Sequence, residues 1–265
     1  MFANLANLFR YRGLIQSLVA RELKARYRGS FLGFFWSFIN PLLLLLIYSF
    51  VFTTVMPNNV EGVQPYALFM FCGILPWNWF SSSLSDAAGS LIAGGNLIKK
   101  VLFPAEVLPL VSVLTNMVHF FLGLPILVVF LLIYGHYPRP ANLLWFPVAV
   151  AVQLLFTSAL GLIVSALAVH FRDIRDILAN LLTLWFFATP IIYPWFQPSV
   201  QQFHLFFDVN PFTHLAVSYQ EILFFNIGPV GHWKWLLALG VGSVLLFIAG
   251  YWLFDRLRDS FAESV

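Results

Sequence analysis

Apolar runs of about eighteen or more residues, separated by short polar stretches, recur along this 265-residue chain and constrain its fold more than any other feature. A helix of that length crosses roughly 30 Å of hydrocarbon. No water reaches that depth, so each backbone N–H and C=O must be satisfied within its own segment, as a helix allows. The runs fall at 34–56, 66–92, 108–134, 143–169, 177–193 and 233–254. Composition agrees: 60% of the residues are hydrophobic and 9% charged, where a soluble domain carries about 25% charge. The expected fold is an all-α polytopic membrane protein with six transmembrane helices, a single domain over 1–265. A semi-apolar stretch at 194–232 separates the last two runs. It holds Pro198, Pro211 and Pro229, and its apolar run at 212–225 is too short to cross, so it reads as a re-entrant outer segment.

The placement of positive charge orients the spans. With the N-terminus inside, Arg10, Arg12, Arg21, Lys24, Arg26, Arg28, Lys99, Lys100, Arg172, Arg175, Arg256 and Arg258 all face the cytoplasm, and of the 14 Lys and Arg only Arg139 and Lys234 lie outside. Basic loops are retained on the cytoplasmic side, and removing any one span scatters these clusters over both faces. The expected topology is N-in and C-in. The net charge of +3 is small, and no nucleic-acid partner is expected.

Ahead of the first span, 11–30 reads as an amphipathic helix lying in the membrane plane. Leu14, Ile15, Leu18, Val19 and Leu23 fall on one broad side, with Ser17, Arg21, Lys24 and Arg28 opposite. Glu22 and Arg26 stand at i,i+4 and can pair. The basic groups Arg21, Lys24, Arg26 and Arg28 would either fix topology or receive an anionic lipid headgroup at a lateral gate. In the loop at 94–109, Lys99 and Lys100 precede an apolar patch bounded by Pro104 and Pro109, so a short helix can form, stop and leave a firm corner. Arg172, Asp173, Arg175 and Asp176 give the next inner loop alternating charges, for local pairing or for a partner.

Several chemistries lack their residues. Cys72 is the lone cysteine, so neither a disulfide nor a multi-cysteine metal site is expected. The histidines show no i,i+4 pair, and no metal is expected; His119 and His170 read as hydrogen-bonded packing residues. No G-x-x-x-x-G-K-[ST] loop is present to cradle a nucleotide, so this chain should have no ATPase of its own. The first residues show no apolar stretch ending in a cleavage site, so no cleavable leader is expected. Spans that move ions hold charge at depth, but Asp86 and Glu221 are the candidates here and both fall near span ends. Aromatics stand in their place: Phe31, Phe34, Phe35, Trp36 and Phe38 at the first span, Trp77 in the second, and Trp185 and Tyr193 around the fifth. Their faces suit sugar rings, although Trp and Tyr also gather at membrane interfaces and Phe simply faces lipid.

The string Arg21-Glu22-Leu23-Lys24-Ala25-Arg26-Tyr27-Arg28-Gly29-Ser30, followed by Leu32-Gly33, Trp36 and Pro41, resembles the opening of the type-2 ABC permeases that export O-antigen, teichoic acid and related polysaccharides. Asn96-Leu97-Ile98-Lys99-Lys100-Val101-Leu102-Phe103-Pro104-Ala105-Glu106-Val107-Leu108-Pro109 is similar to that family's cytoplasmic loop between spans two and three. Phe171-Arg172-Asp173 is similar to its next inner loop, and Thr189-Pro190-Ile191-Ile192-Tyr193 with Asn210-Pro211-Phe212 to its outer re-entrant region. The resemblance implies a homodimer in the bacterial inner membrane, paired with two ATP-binding subunits that hold the ATP and Mg, with lipid-linked polysaccharide as cargo. It further implies that Lys99, Lys100, Phe103, Pro104, Glu106, Arg172 and Asp173 couple to those subunits. A different ABC-2 cargo, lipid or drug, is the nearest alternative. An ion-coupled secondary transporter would need intramembrane charge, and a multipass sugar transferase would need clustered acids.

Overall fold

The computed structural model describes residues 11–56, 60–99, 103–171, 173–225 and 228–264, and among the described residues every regular element is helical. Helix α1, Arg12–Arg26, is followed by a 3₁₀ turn at Gly33–Phe35 and by α2, Trp36–Phe50, which a π turn at Val51–Val55 prolongs. Gly29 and Gly33, at φ +77° and +50°, supply the left-handed backbone that turns the chain between α1 and α2. The long α3, Tyr66–Ala93, is followed by the short α4, Gly95–Ile98, then α5, Val107–Ile133, the short α6, Pro140–Leu143, and α7, Phe146–His170. Helix α8, Ile174–Phe187, gives way to α9, Pro198–Gln201, α10, His204–Val209, and α11, Pro211–Leu223, before α12, Trp233–Ser264.

Four stretches are long and apolar enough to cross a membrane: Gly33–Val55, Val107–Ile133, Pro140–His170 and Trp233–Arg258. Two of the expected spans differ from these. Helix α3 has the length, at 28 residues, but Trp77, Asn78, Trp79 and the serines at 81–83 lower its hydropathy. It can carry them because it is the central helix, packed on α2, α5, α7, α8 and α11, and its first twelve residues are all buried. Helix α8 stops at Phe187, after 14 residues or about 21 Å. The residue before a proline is pushed out of helical backbone, so Thr189 and Pro190 turn the rest of the fifth apolar run into a compact turn. At the other extreme, the apolar window of α2 is only 6% buried.

The 212–225 run forms α11, a helix enclosed by protein on nearly every side. Asn210 holds its start: Oδ1 accepts from Phe212 N at 3.1 Å and from Trp185 Nε1 at 2.7 Å. Its Nδ2 donates to Ala188 O and Thr189 Oγ1, both at 3.0 Å. The far end is tied by Gln220 Nε2, which donates to Pro190 O at 3.1 Å. One side chain thus serves as helix cap and as the joint to α8. Asn210→Ala should lower stability by about 2 kcal/mol, the sum of a lost cap and a stranded indole N–H, read as a fall in the melting temperature of the detergent-solubilised protein. An unchanged melting temperature would show the joint to be dispensable.

Contacts at the two ends sort the loops. At one end Leu91, Ala105, Leu108, Val169, Tyr251 and Phe261 share a cluster, and His170 Nε2 meets Ser260 Oγ at 2.9 Å. At the other, Tyr66 donates to Ile192 O at 2.7 Å, His136 stacks on Phe224, and Asn142 Nδ2 donates to Gly228 O at 3.2 Å. Helix α12 crosses α7 closely: a Cβ on Gly250 would stand 2.9 Å from Ala159 O, which only glycine permits.

Candidate functional site

Between the end of α1, the start of α2 and the middle of α3 and α5 lies a cleft of about 530 Å³. Helical spacing builds its walls. Trp36 and Asn40 on α2, Asn78 and Ser82 on α3, and Asn116 and His119 on α5 each stand three or four residues apart, and so share a face. Arg26, Tyr27 and Ser30 close it at the α1–α2 turn. Asn40 and Asn78 make no side-chain hydrogen bond among the described residues, and both are exposed. An unpaired amide facing hydrocarbon costs several kcal/mol, so these amides call for water, a ligand or a second protein surface in the cleft.

Arg26 is fixed by two helices. Its Nη2 donates to Asp86 Oδ2 at 2.7 Å and its Nη1 to Asn116 Oδ1 at 3.3 Å. Asn116 Nδ2 in turn donates to Asp86 Oδ2 at 2.8 Å. The pairing expected with Glu22 is replaced by this bridge to Asp86, because α1 lies along α5 with Leu18 packed on Val107 and Val111. The side chains of Arg26 and Asp86 are 34% and 39% exposed, so the pair stands at the cleft margin. A guanidinium has five N–H donors, and these contacts leave others for a ligand. Arg21 and Lys24 on the same helix and Arg28 just beyond its end are exposed. Tyr27 shares a hydrogen bond with Ser37 and stands 3.3 Å from His119 Nδ1. His119 Nε2 is buried with no partner among the described residues, so His119 is only half satisfied as a packing residue.

The aromatics expected at a channel divide. Phe31, Phe34, Phe35 and Trp36 are exposed, Phe31 completely, and Trp36 lines the cleft. Phe38 is half-buried and meets Phe34 edge to face. Trp77 has no free face: it is 5% exposed, enclosed by Phe80, Trp185, Phe186 and Phe212. Trp185 is part of that cluster and bonded to Asn210. Tyr193 is half-buried, its hydroxyl donating to Phe187 O at 2.8 Å. The structure therefore moves Trp77 from a pore surface into the core of the protomer, while Trp185 stays half-buried against that core.

The loop residues divide as well. Lys99 and Asp173 are exposed, Phe103 is half-buried, and Pro104 is buried. Lys100 and Arg172 lie outside the described residues. Glu106, expected on a partner-facing surface, is 3% exposed; its Oε2 stands 3.8 Å from Arg258 Nη1 on α12. Among the described residues no group of three or more His, Cys, Asp and Glu is placed to hold a metal. Sequence reasoning passed over Asn40, Asn78 and Asn116. An amide inside each of three apolar runs was the available signal.

Apolar helices around a polar cleft, with basic residues gathered at one end, define a helical membrane transport protein. The chain belongs to the ABC-2 type transporter family, whose sequence pattern it matches over residues 13–224. It is 46% identical over 259 residues to the O-antigen export system permease protein RfbA of Myxococcus xanthus, covering 97% of each chain. It is 34% identical to the protein of the same name from Klebsiella pneumoniae, over 98% of this chain and 96% of that one. Similarity extends to the polysialic acid transport protein KpsM of Escherichia coli, 21% identical over 78% of this chain and 80% of the other.

Proposed function

We propose that this chain is the membrane-spanning permease subunit of an ABC exporter that carries lipid-linked, O-antigen-like polysaccharide across the bacterial inner membrane. A separate ATP-binding subunit, holding ATP and Mg, supplies the energy; two copies of each make the transporter. The observation that carries the cargo assignment is the cleft, where Asn40, Asn78 and Ser82 offer unpaired polar groups beside Trp36, and Arg26 stands at the edge. Amides and an indole face suit sugar hydroxyls and ring faces, and a guanidinium suits a phosphate. An acyl chain or apolar drug would strand those amides, which disfavours the lipid and drug alternatives.

The chain crosses six times, N-in and C-in. Support comes from the sorting of loops to two ends and from the charge count, with α8 and its following turn completing the fifth crossing. Helix α1 lies at the inner interface, with Arg21, Lys24, Arg26 and Arg28 as the lateral gate; α9 to α11 form the outer region within 194–232, α11 re-entrant and satisfied by protein. The 94–109 loop with Lys99, Lys100, Phe103 and Pro104, together with Arg172 and Asp173, meets the ATP-binding subunit, and Glu106 supports that loop from within. Phe31, Phe34, Phe35, Trp36 and Phe38 lead the polymer from the gate into the channel.

Deleting the gene should remove polymer from the cell surface and trap it inside, as read by immunoblot of surface and total polysaccharide. Undiminished surface polymer would refute the export reading. The purified chain should show no ATP hydrolysis, while the complex with its partner turns ATP over; turnover by the isolated chain, with contaminants excluded, would overturn that division of labour.

A further inference from the structure

Away from the cleft, at the end of the molecule that holds α9 to α11, two cavities of about 250 and 220 Å³ lie on either side of Trp195. The larger is walled by Trp195, Gln201, His204, Phe207, Asp208 and His232. The smaller is walled by Trp195, Asn142, Phe196, Glu221 and Phe225. Trp195 is the shared partition, and its position is fixed from behind. His232 meets the indole edge to face at 4.9 Å, and His232 is itself held by Glu221, through Nδ1 to Oε1 at 3.0 Å and backbone N to Oε2 at 3.0 Å.

The polar groups divide into those that hold this arrangement and those left for a ligand. Glu221 and His232 bind each other. The side chains of Gln201 and Asp208 are exposed and make no hydrogen bond or ion pair among the described residues. His204 is engaged at Nδ1, 3.2 Å from Gln201 O, leaving Nε2 open. Thr213 lines the same cavity, 4% exposed, and its Oγ1 has no partner among the described residues.

We propose that Trp195 and the cavities beside it form an outer carbohydrate subsite, taking neutral pyranose units of the polymer as it leaves; this rests on the export reading above. The chemistry selects that ligand class. A rigid indole offers a flat apolar face for the C–H face of a pyranose, and Gln201, His204 and Asp208 offer planar polar groups to the hydroxyls on its rim. No Lys or Arg lines either cavity among the described residues, and the carboxylates of Asp208 and Glu221 disfavour phosphate. Two cavities sharing one wall suit successive sugars of a chain, so a passing polymer would be gripped residue by residue.

The test uses the complete transporter, permease with ATP-binding partner, in lipid nanodiscs. It is titrated calorimetrically with the host's own surface polysaccharide, freed of its lipid by mild acid. Trp195→Ala should weaken binding by about tenfold or more, while Trp195→Phe, which keeps a ring face, stays within about threefold of wild type. Asp208→Asn should weaken it by about tenfold, the effect of losing charge-assisted hydrogen bonds. His214 Nε2 meets the Asp208 backbone oxygen at 3.0 Å, a contact the Asn variant keeps, while the exposed Asp208 side chain makes no hydrogen bond among the described residues, so that variant decides the matter even where Trp195→Ala fails to assemble. Wild-type affinity in Asp208→Asn, or in an assembled Trp195→Ala complex, or no binding by the wild-type complex, overturns the subsite. The gene-deletion result above tests the export reading separately, because surface polymer can depend on this chain whether or not Trp195 binds sugar.

Discussion

Replacing Arg26 with Lys is expected to lower polymer export by about tenfold, with protein level and orientation unchanged. Topology depends on charge, which Lys keeps. A phosphate depends on shape as well, because guanidinium presents a planar fork and ammonium a point charge. Hydrogen bonds to charged groups contribute about 1.5–3 kcal/mol. With the Arg26 side chain 34% exposed, solvent screening puts the effect at the low end, about tenfold. The bridge to Asp86 makes a sharper control possible. If Arg26 serves only to clasp α1 to α3, then exchanging the pair, Arg26→Asp with Asp86→Arg, should restore export that either single change removes. If Arg26 also receives the headgroup, the exchange leaves export low, because the cation then stands on α3. The expected outcome is the second. Full export by Arg26→Lys, or by the exchanged pair, would reduce Arg26 to a clasp.

Much of this architecture is legible in the sequence, and its failures share a cause. Apolar run length located α2, α3, α5, α7, α8 and α12, and the 3.6-residue period gathered Leu18 and its neighbours on one side of α1, where the structure packs Leu18 on Val107 and Val111. What period and hydropathy do not report is whether a face meets lipid, protein or a cavity. Trp77 and Phe31 look alike in sequence, yet one is enclosed and the other bare. Helix α3 falls short on hydropathy because a helix surrounded by protein does not need an apolar surface, whereas the nearly bare α2 does. The same blindness hid the cleft. Asn40, Asn78 and Asn116 lie on three different helices, and each alone reads as a tolerated polar residue. Local pairing rules likewise offered Glu22 to Arg26, while the folded partner, Asp86, stands sixty residues away. The string Asn210-Pro211-Phe212 could be noticed, but not that its asparagine joins two helices.

Glu106 shows the same limit in the loop proposed to meet the ATP-binding subunit. The family resemblance implied a partner-facing residue, but the corner at Pro104 turns Glu106 inward beneath the end of α12, 3% exposed and 3.8 Å from Arg258. Removing one member of a buried ion pair strands the other and costs about 3–5 kcal/mol. Arg258 is itself about one-third exposed and makes no hydrogen bond to Glu106 Oε2, which places Arg258→Ala below that range, at about 2 kcal/mol. That should appear as a fall of about 5 °C or more in the melting temperature of the complex. Adding Glu106→Gln to Arg258→Ala removes the stranded charge and should recover most of the loss, whereas penalties that merely add would show the two residues to be independent. The functional consequence follows from position. The pair ties the start of α5 to the end of α12, so under the proposed coupling role a push received at Lys99 or Phe103 would reach the last helix through it. In Arg258→Ala the polymer exported per ATP hydrolysed should therefore fall, while hydrolysis itself continues. Equal losses of export and hydrolysis would assign the pair to assembly alone and leave the push to travel through α5.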